Sequence, residues 1–426
     1  MKQIAHQLFT TGIRSSLWVL RRLDRITLGG RRRSQEEYRQ SPYESYAAMR
    51  ARGHVVRSYA TQGWMVNGAE EVQQALRSDA LSNDVRHNWF FYRLLRVASK
   101  SEDIPLVDKP AMLGRDPPDH SRLRKLVTAG FTQSYIASLT PMIESLVDQL
   151  LDEVAGNDEI DVIASIAKPL PAMVIAEMMG VPVADRHLFQ RWSEELTGAL
   201  MIDQPELIHR AALADRAMRN YLAELVRDKE KLPGQDFISR LLAAELEEDR
   251  LTRDELISNC ILLLTAGHET TTRLIGNGLY TLIRHADQME LLRNQPELMP
   301  NAIEEMLRYE SPIQITLRFV ARTHEFMGNR FRRNQMVMIG LGSANRDPVL
   351  NQNPDRFDIQ RTEVRHVAFG YGIHLCLGLM LARIEARIAL RKLLDRYPTI
   401  TLLDEQADWG SNPFFRGLNS LRVAVS

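Results

Sequence analysis

One cysteine in a glycine-rich stretch is the residue of this chain best suited to chemistry. Cys376 lies within FGYGIHLCLG, surrounded by Gly370, Gly372 and Gly378. Glycine is needed where a backbone turns tightly or approaches another body closely. An amphipathic helix is predicted at 377–396, and the N–H groups at a helix start stabilise a thiolate. Such a thiolate acts either as a nucleophile or as a metal ligand.

Both roles can be compared with the neighbouring residues. A nucleophilic cysteine needs a base, but His374 is two residues away, and side chains at that spacing do not readily meet. Cys260 is the only other cysteine and lies in another predicted helix, so a zinc site is not indicated. A lone thiolate suits a haem iron, which needs only an axial ligand from the protein. A plain buried cysteine and a thiol enzyme without haem stay open as alternatives.

The residues around Cys376 resemble a known family. FGYGIHLCLG matches the haem-binding loop of the cytochrome P450 family, F-G-x-G-x-H-x-C-x-G, at every fixed position. Most of the chain follows the same resemblance, which is to the soluble bacterial type. The further stretches that resemble family segments are DPPDHSRLRKLVTAGF (116–131), AGHETT (266–271), EEMLR (304–308), ANRDP (344–348), PDRFD (354–358) and FRGLNSLRV (415–423).

The resemblance implies a fold and a cofactor. The expected fold is mainly α, the cytochrome P450 fold: one large helical domain over 34–426, with a long central helix and small peripheral β-sheets. The expected cofactor is haem b, iron protoporphyrin IX, with Cys376 as the metal ligand and dioxygen as co-substrate. His120, Arg124, Arg318 and His374 are expected to hold the two propionates. The cofactor-binding residues implied in all are His120, Arg124, Ala266, Gly267, Arg318, Phe369, Gly370, His374, Cys376 and Gly378.

Two further pairs take their expected roles from the resemblance. Glu269 and Thr270 match the acid–alcohol pair that relays protons to the dioxygen site. Gly267 precedes them, and because glycine is a poor helix former it suggests a local opening of the helix. Glu305 and Arg308 match the structural E-x-x-R pair. The spacing alone carries little weight, because it recurs elsewhere as ordinary helix-surface pairs.

The substrate pocket is read from apolar residues. Residues 84–113 are expected to form a long irregular stretch that roofs the substrate, and its aromatic residues imply an apolar ligand. His268 is a weaker candidate for a distal ligand. The residues expected to line the pocket, besides Ala266, are Trp89, Phe90, Phe91, Ile313, Ile315, Phe414 and Phe415.

The resemblance implies a monooxygenase that inserts one oxygen atom into an apolar molecule. Hydroxylation or epoxidation of a lipid, terpenoid, steroid or polyketide-like compound is expected. A peroxide-dependent peroxygenase and a non-catalytic haem carrier or sensor are the alternatives, and the Glu269–Thr270 pair argues against both. Because no G-x-G-x-x-G unit occurs, NAD(P)H electrons are expected through a ferredoxin or flavodoxin with its reductase.

The electron partner would need a docking face. Five basic residues flank the thiolate side by resemblance and would attract a negatively charged ferredoxin. A solvated helix surface is the competing interpretation. The five residues are Arg122, Lys125, Arg365, Arg383 and Arg387.

Composition excludes several classes of protein. The 426 residues are 44% hydrophobic with a formal net charge of zero, so a large core is expected and a nucleic-acid partner is not. Two cysteines cannot form a disulfide framework, which fits the reducing cytoplasm. A monomer is expected.

The first 33 residues differ from the rest. They hold eight basic residues against Asp24 alone, a net charge of +7, with apolar residues at roughly helical spacing. The pattern predicts an amphipathic helix that could lie on the inner face of an anionic membrane. An extension that packs on the body or stays mobile is the competing interpretation. Charges interrupt it too often for a transmembrane span, and a secretory signal is not indicated.

Helices must position these residues. Apolar periodicity predicts helices at 133–155, 205–230 and 377–396, and a long buried helix from the cap at Thr252 to about 284. Strand signals are short. They lie at Val55–Tyr59, Trp64–Val66, Ile315–Val320, Met336–Ile339, Thr399–Leu402 and Leu421–Val425.

Overall fold

The computed structural model describes residues 35–58, 62–100, 104, 106–198, 204–244 and 249–426. The predicted amphipathic helix of 1–33 lies outside these residues, so the boundary at 34 stays a prediction. Of the helices in the described ranges, none offers a stretch long and apolar enough to cross a bilayer.

Helices dominate the described chain, and the long ones fall where apolar periodicity predicted them. In chain order they are α1 (Gln35–Gln40), α2 (Tyr43–Arg52), α3 (Ala69–Arg77), α4 (Trp89–Ser99), α5 (Asp119–Gly130), α6 (Gln133–Ser138), α7 (Thr140–Glu153), α8 (Pro169–Met178), α9 (Arg186–Thr197), α10 (Pro205–Lys231), α11 (Phe237–Ala243), α12 (Arg253–Arg284), α13 (Ala286–Asn294), α14 (Met299–Tyr309), α15 (Leu341–Asn345) and α16 (Leu379–Arg396).

The central helix is α12, which begins at the predicted capping box. The Thr252 side chain accepts a hydrogen bond from the Glu255 N–H, and the Thr252 N–H donates to the Glu255 carboxylate at 2.9 Å. Most of its side chains are buried on every side, as expected for a helix with apolar residues all round. Because α8, α9, α10 and α16 pack around it, α12 forms the centre of the main core.

Two helix predictions need correction. The segment 133–155 divides at Leu139 into α6 and α7, because Pro141 in the first turn of α7 cannot donate to the preceding turn. The stretch 84–113, expected to be irregular, contains α4. The Asn88 side chain caps it by accepting a hydrogen bond from the Phe91 N–H at 2.9 Å.

The strands form small separate sheets. The strands are β1 (Val55–Ser58), β2 (Gly63–Val66), β3 (Leu81–Ser82), β4 (Glu159–Asp161), β5 (Ile315–Val320), β6 (His324–Phe326), β7 (Asn329–Phe331), β8 (Met336–Gly340), β9 (Ile400–Leu402), β10 (Asp408–Trp409), β11 (Leu418–Ser420) and β12 (Arg422–Val425). Five of them make one sheet in the order β1-β2-β8-β5-β3, and three make another in the order β4-β12-β9. All six predicted strands are present: β5 has the predicted bounds, and the other five differ from theirs by one residue at one end.

Candidate active site

The cysteine loop precedes α16 and is closed by its own backbone. Gly370 and Gly372 adopt φ of +73° and +74°, a region that favours glycine. A Cβ at Gly372 would lie 2.8 Å from a backbone oxygen of α3, so this position also needs glycine for space. The Cys376 N–H donates to the Phe369 carbonyl at 2.9 Å. The loop therefore presents Cys376 at the start of α16.

The two cysteines have different surroundings. Cys260 is fully buried in α12, and burial raises the pKa of its thiol to about 12. Burial also raises the pKa of Cys376, but the Gly378 backbone N–H and the cations of Arg124 and Arg383 oppose it. Burial outweighs them, so the pKa of the free Cys376 thiol lies above its usual value, and the positive charge of a metal ion would favour the thiolate.

Four basic side chains converge beside this loop. The rings of His120 and His374 lie 4.3 Å apart between centroids, and Arg124 donates to the Leu375 carbonyl at 2.7 Å. Arg318 is buried, and within the described part of the chain its guanidinium donates to the Thr316 hydroxyl and the Leu317 carbonyl. Burial, then Arg318, His120 and Arg124, lower the pKa of His374 to about 3.

Among the described residues, no carboxylate forms an ion pair with this basic cluster. Neither ring nitrogen of His120 has a hydrogen-bond partner, although both are buried. Asp116, whose charge acts on the pKa of His120 and of Arg318, already accepts from the Ser82 hydroxyl at 2.5 Å and lies 3.3 Å from His87. Burial lowers the pKa of Arg318 to about 10, with Asp116 opposing. Because burying cations without an anion is costly, the cluster fits a ligand that carries carboxylates, as haem does with its two propionates.

The surfaces on either side also fit a flat apolar group. Every residue of 369–380 keeps part of its surface exposed, although Phe369 packs against the main core. A Cβ at Gly378 would meet no atom of the chain within 4 Å. On α12, most of whose residues are buried, Ala266 is exposed and Thr270 is half-buried. In the described residues no three His, Cys, Asp or Glu side chains group as metal ligands, so a single thiolate ligand fits better than a cage.

The α12 residues differ in part from expectation. The helix is unbroken, so the local opening predicted at Gly267 is absent. A Cβ at Gly267 would lie 2.8 Å from the Ile175 side chain, so this glycine permits close packing of α8 instead. The Thr270 hydroxyl donates to the Ala266 carbonyl at 2.8 Å. The Glu269 carboxylate forms an ion pair with Arg273.

His268 is a structural residue in this arrangement. Its Nδ1 lies 2.9 Å from the Ser193 hydroxyl of α9, and its Nε2 lies 2.9 Å from the Lys168 carbonyl. The ring is fully buried, and burial lowers its pKa. With both nitrogens hydrogen-bonded between helices, His268 is not placed as a distal ligand.

The expected pocket residues form two groups. Trp89 and Phe90 are 60% and 58% exposed, so nothing encloses them in this structure, and their place in the lining stays a prediction. They lie on the outer face of α4, whereas Phe91 packs on Phe319 with ring centroids 5.9 Å apart. The number of aromatic residues in a segment does not indicate which of them lie on the inward face of a helix.

The second group does come together. Ile313 and Phe415 form an antiparallel bridge, and the Gln314 N–H donates to the Phe414 carbonyl at 2.8 Å. Ile315 begins β5 and is half-buried. Arg273 lies over the Phe415 ring at 5.4 Å, so this apolar wall adjoins the Glu269 ion pair.

The E-x-x-R pair is fully buried. Arg308 donates to both Glu305 oxygens, at 2.6 and 2.8 Å, and to the Pro354 carbonyl at 2.6 Å. Glu305 also accepts from Arg361 at 3.0 Å and from the Asp358 N–H at 2.9 Å. The pair therefore ties α14 to the segment that leads into the cysteine loop.

Three of the five expected docking cations already have acidic partners. Arg122 pairs with Glu255 and Asp249, and Arg365 pairs with Glu363. The third is Arg383, which pairs with Glu304. Lys125 and Arg387 are exposed and take part in none of the ion pairs found among the described residues.

Sequence reasoning missed Arg273, Glu304 and Glu385. Arg273 follows Glu269 at helical i,i+4 spacing, so that pair was detectable. Glu304 and Arg383 are 79 residues apart, and no local signal connects them. Glu385 is buried in α16, and burial raises its pKa to about 8.

The sequence and the structure were compared with known proteins, and the matches are cytochromes P450. A family model described as Cytochrome P450 matches residues 88–409. The chain is 41% identical over 395 residues to Cytochrome P450 107B1 of Saccharopolyspora erythraea, covering 91% of this chain and 96% of the relative. It is 37% identical over 390 residues to 6-deoxyerythronolide B hydroxylase of that organism, covering 90% and 96%. The structure of P450BioI in complex with hexadec-9Z-enoic acid ligated acyl carrier protein has a TM-score of 0.84 at 35% identity, covering 92% and 100%.

Proposed function

Because this chain belongs to the cytochrome P450 family and is a monooxygenase of the bacterial type, we propose that it hydroxylates or epoxidises an apolar molecule. The family and the fold predicted from the sequence are confirmed. The observation that carries the site assignment is a partly buried basic cluster, for which the described residues provide no paired carboxylate, beside a loop that presents one cysteine.

Haem b would be held from three directions. Cys376 would ligate the iron, the basic cluster would bind the propionates, and Phe369 with Gly378 would pack beneath the porphyrin. When bound, a haem with a thiolate ligand supplies the electron density that favours cleavage of the dioxygen O–O bond. Arginine suits the propionates because its planar fork binds a carboxylate through two hydrogen bonds.

The other residues bind substrate and move protons. Thr270 would offer its hydroxyl proton on the α12 wall, and Glu269 would exchange protons with solvent, while Arg273 holds its carboxylate next to Phe415. Ile313, Ile315 and the Phe414–Phe415 pair would exclude water and orient the apolar substrate.

The substrate class is supported by the relatives' names and by the lining. One relative is named for hydroxylating 6-deoxyerythronolide B, and one similar structure holds a fatty-acyl carrier protein. We propose a lipid, terpenoid, steroid or polyketide-like substrate. Half-buried Ile313 and Phe415 support an apolar ligand.

Electrons are proposed to come from NAD(P)H through a ferredoxin or flavodoxin and its reductase. Lys125 and Arg387 remain as exposed cations for such a partner. We also propose that 34–426 form the haem domain of a cytoplasmic monomer. Two cysteines without a disulfide support a reducing compartment.

The proposed activity is tested by labelled dioxygen. The protein is reconstituted with a ferredoxin, its reductase and NADPH, and offered fatty acids, terpenoids, steroids and macrolides that displace the iron-bound water in optical titration. We expect one labelled oxygen atom in the product of at least one compound class. Product formed with hydrogen peroxide but never with dioxygen and reductant would indicate a peroxygenase, and haem binding without any product would indicate a carrier or sensor.

A further inference from the structure

The carboxylate of Glu304, near the cysteine loop, accepts hydrogen bonds from two side chains, Arg383 and His366. Glu304, on α14, accepts from Arg383 Nε and Nη2, both at 2.6 Å, in a two-pronged ion pair. Its Oε2 also lies 3.0 Å from His366 Nε2. Burial raises the pKa of Glu304, but hydrogen bonds from Arg383 and His366 lower it to about 2. The carboxylate is therefore charged over the whole working range of pH.

Both partners of Glu304 also contact Phe369, a residue of the cysteine loop. The Arg383 guanidinium lies 4.6 Å from the centroid of the Phe369 ring, and the His366 ring lies 5.9 Å from it. The Ala368 N–H donates to His366 Nδ1 at 3.2 Å, so it is the Nε2–H of this histidine that donates to Glu304.

The connection reaches Cys376 through Phe369. The Phe369 carbonyl accepts the Cys376 N–H at 2.9 Å, and Arg383 is one of the two cations whose field acts on the sulfur. In the described residues the Glu304 carboxylate contacts Arg383 and His366 and has no hydrogen bond to the cysteine loop itself. Its influence on the sulfur would therefore pass through Arg383 and His366.

A neighbouring pair shows the contrast with an ordinary surface salt bridge. Glu363 and Arg365 form an ion pair on the same stretch of chain, with more than half of each side chain exposed. Surface pairs of this kind contribute about 0–1 kcal/mol to stability. Glu304 and Arg383 are more enclosed and are joined by His366 on the same carboxylate.

We propose that Glu304 is a positioning residue for the thiolate loop. It holds the Arg383 cation over Phe369 and ties His366 to the backbone at Ala368, and so fixes the electrostatic field at the Cys376 sulfur. This inference rests on the proposed function, because the field acts on the bound haem only if Cys376 ligates it.

The direction in which the reduction potential shifts distinguishes a positioning role of Glu304 from a direct effect of its charge. A nearby cation stabilises the more negative, reduced state of a haem with a thiolate ligand, so it raises the reduction potential. Removing a carboxylate by itself would therefore raise the potential. If Glu304 acts by holding Arg383, its removal releases the cation toward solvent, and the potential falls.

The test is a spectroelectrochemical titration of the substrate-free holoenzyme, together with the ferrous carbonyl spectrum. Glu304→Gln and Arg383→Gln should both shift the reduction potential to more negative values, and the double variant should shift no further than Arg383→Gln alone. Glu363→Gln, the matched control, should leave the potential unchanged. A rise in potential for Glu304→Gln, or additive shifts in the double variant, would overturn the proposal.

Arg383→Lys keeps the test informative if Arg383→Gln fails to fold. Lysine keeps the charge but loses the planar fork and the stacking on Phe369, so the potential should fall by part of the Arg383→Gln shift. An unchanged potential for Arg383→Lys would equally contradict the proposal. The two failures are distinguishable: if the wild-type carbonyl complex lacks the red-shifted band of thiolate ligation, the proposed function itself fails.

Discussion

The Glu269 carboxylate forms an ion pair with Arg273, one helical turn further along α12. Its neighbour Thr270 donates its hydroxyl to the Ala266 carbonyl at 2.8 Å. Both members of the acid–alcohol pair therefore have partners within the helix. To donate its proton to the site, the Thr270 hydroxyl must leave the Ala266 carbonyl. Arg273, which holds Glu269, lies against Phe415 on the wall where substrate would bind.

Thr270 offers the first prediction. Thr270→Ala removes the hydroxyl, so proton delivery should suffer while NADPH is still consumed. Product formed per NADPH should fall by up to about 100-fold, the low end of what a positioned proton donor contributes, and hydrogen peroxide should account for the difference. Thr270→Ser is the control and should retain most of the coupling. Unchanged coupling in Thr270→Ala would assign the relay to another group.

Arg318 should have opposite effects on the two forms of the protein. Arg318→Met removes a buried cation for which the described residues provide no ion pair, so the haem-free protein should gain thermal stability. Haem should dissociate roughly 10- to 100-fold more readily, because a charged hydrogen bond of about 1.5–3 kcal/mol is lost.

The control for Arg318 is Arg322→Met, an exposed cation just beyond β5 that pairs with Asp79. It should change neither property. Haem transfer to apomyoglobin and thermal melts of both forms make the measurement. If Arg318→Met destabilises the haem-free protein and leaves haem transfer unchanged, the basic cluster does not hold propionates.

The E-x-x-R spacing should carry very different energies at two positions. Glu305→Gln breaks a fully buried pair and leaves Arg308 without its counter-charge, which should cost about 3–5 kcal/mol of unfolding free energy. Glu224→Gln breaks an exposed pair of the same spacing, 3.8 Å long, and should stay within about 0.5 kcal/mol. Urea unfolding compares the two, and equal losses would refute the structural role given to the buried pair.

Electron transfer from a ferredoxin should depend on Lys125 and Arg387. Glutamate at either position should slow reduction about tenfold at low salt, because steering between opposite charges is lost. The wild-type rate should itself fall as salt shortens the Debye length to about 8–10 Å. Arg227→Glu on α10 is the control for a charge change elsewhere on the surface. Stopped-flow reduction that ignores both salt and these substitutions would move the partner to another face.

Much of the site could be predicted because its signals are local. The capping box needs only the types of Thr252 and Glu255, and the cysteine loop needs only glycines where φ is positive. Six strands were predicted from apolar and β-branched runs. By contrast, β3 and β10 have two residues each, and only pairing with distant strands defines them.

The remaining features depend on tertiary packing. The Glu304–Arg383 pair joins α14 to α16. The residue pattern within one helix does not indicate which residue of the other helix it contacts. The exposure of Trp89 depends on which face of α4 meets α10, a choice that an aromatic run does not reveal. The sequence suggests a local opening of α12 at Gly267, but in the structure this glycine leaves space for the Ile175 side chain of α8.

The central claim is that Cys376 ligates haem iron, and the ferrous carbonyl spectrum tests it most directly. Wild type and Cys260→Ser should both give the red-shifted band of thiolate ligation, because Cys260 is fully buried in α12. Cys376→Ser should lose that band and nearly all oxygenase activity. The same band in Cys376→Ser as in wild type, or its loss in Cys260→Ser alone, would contradict the assignment.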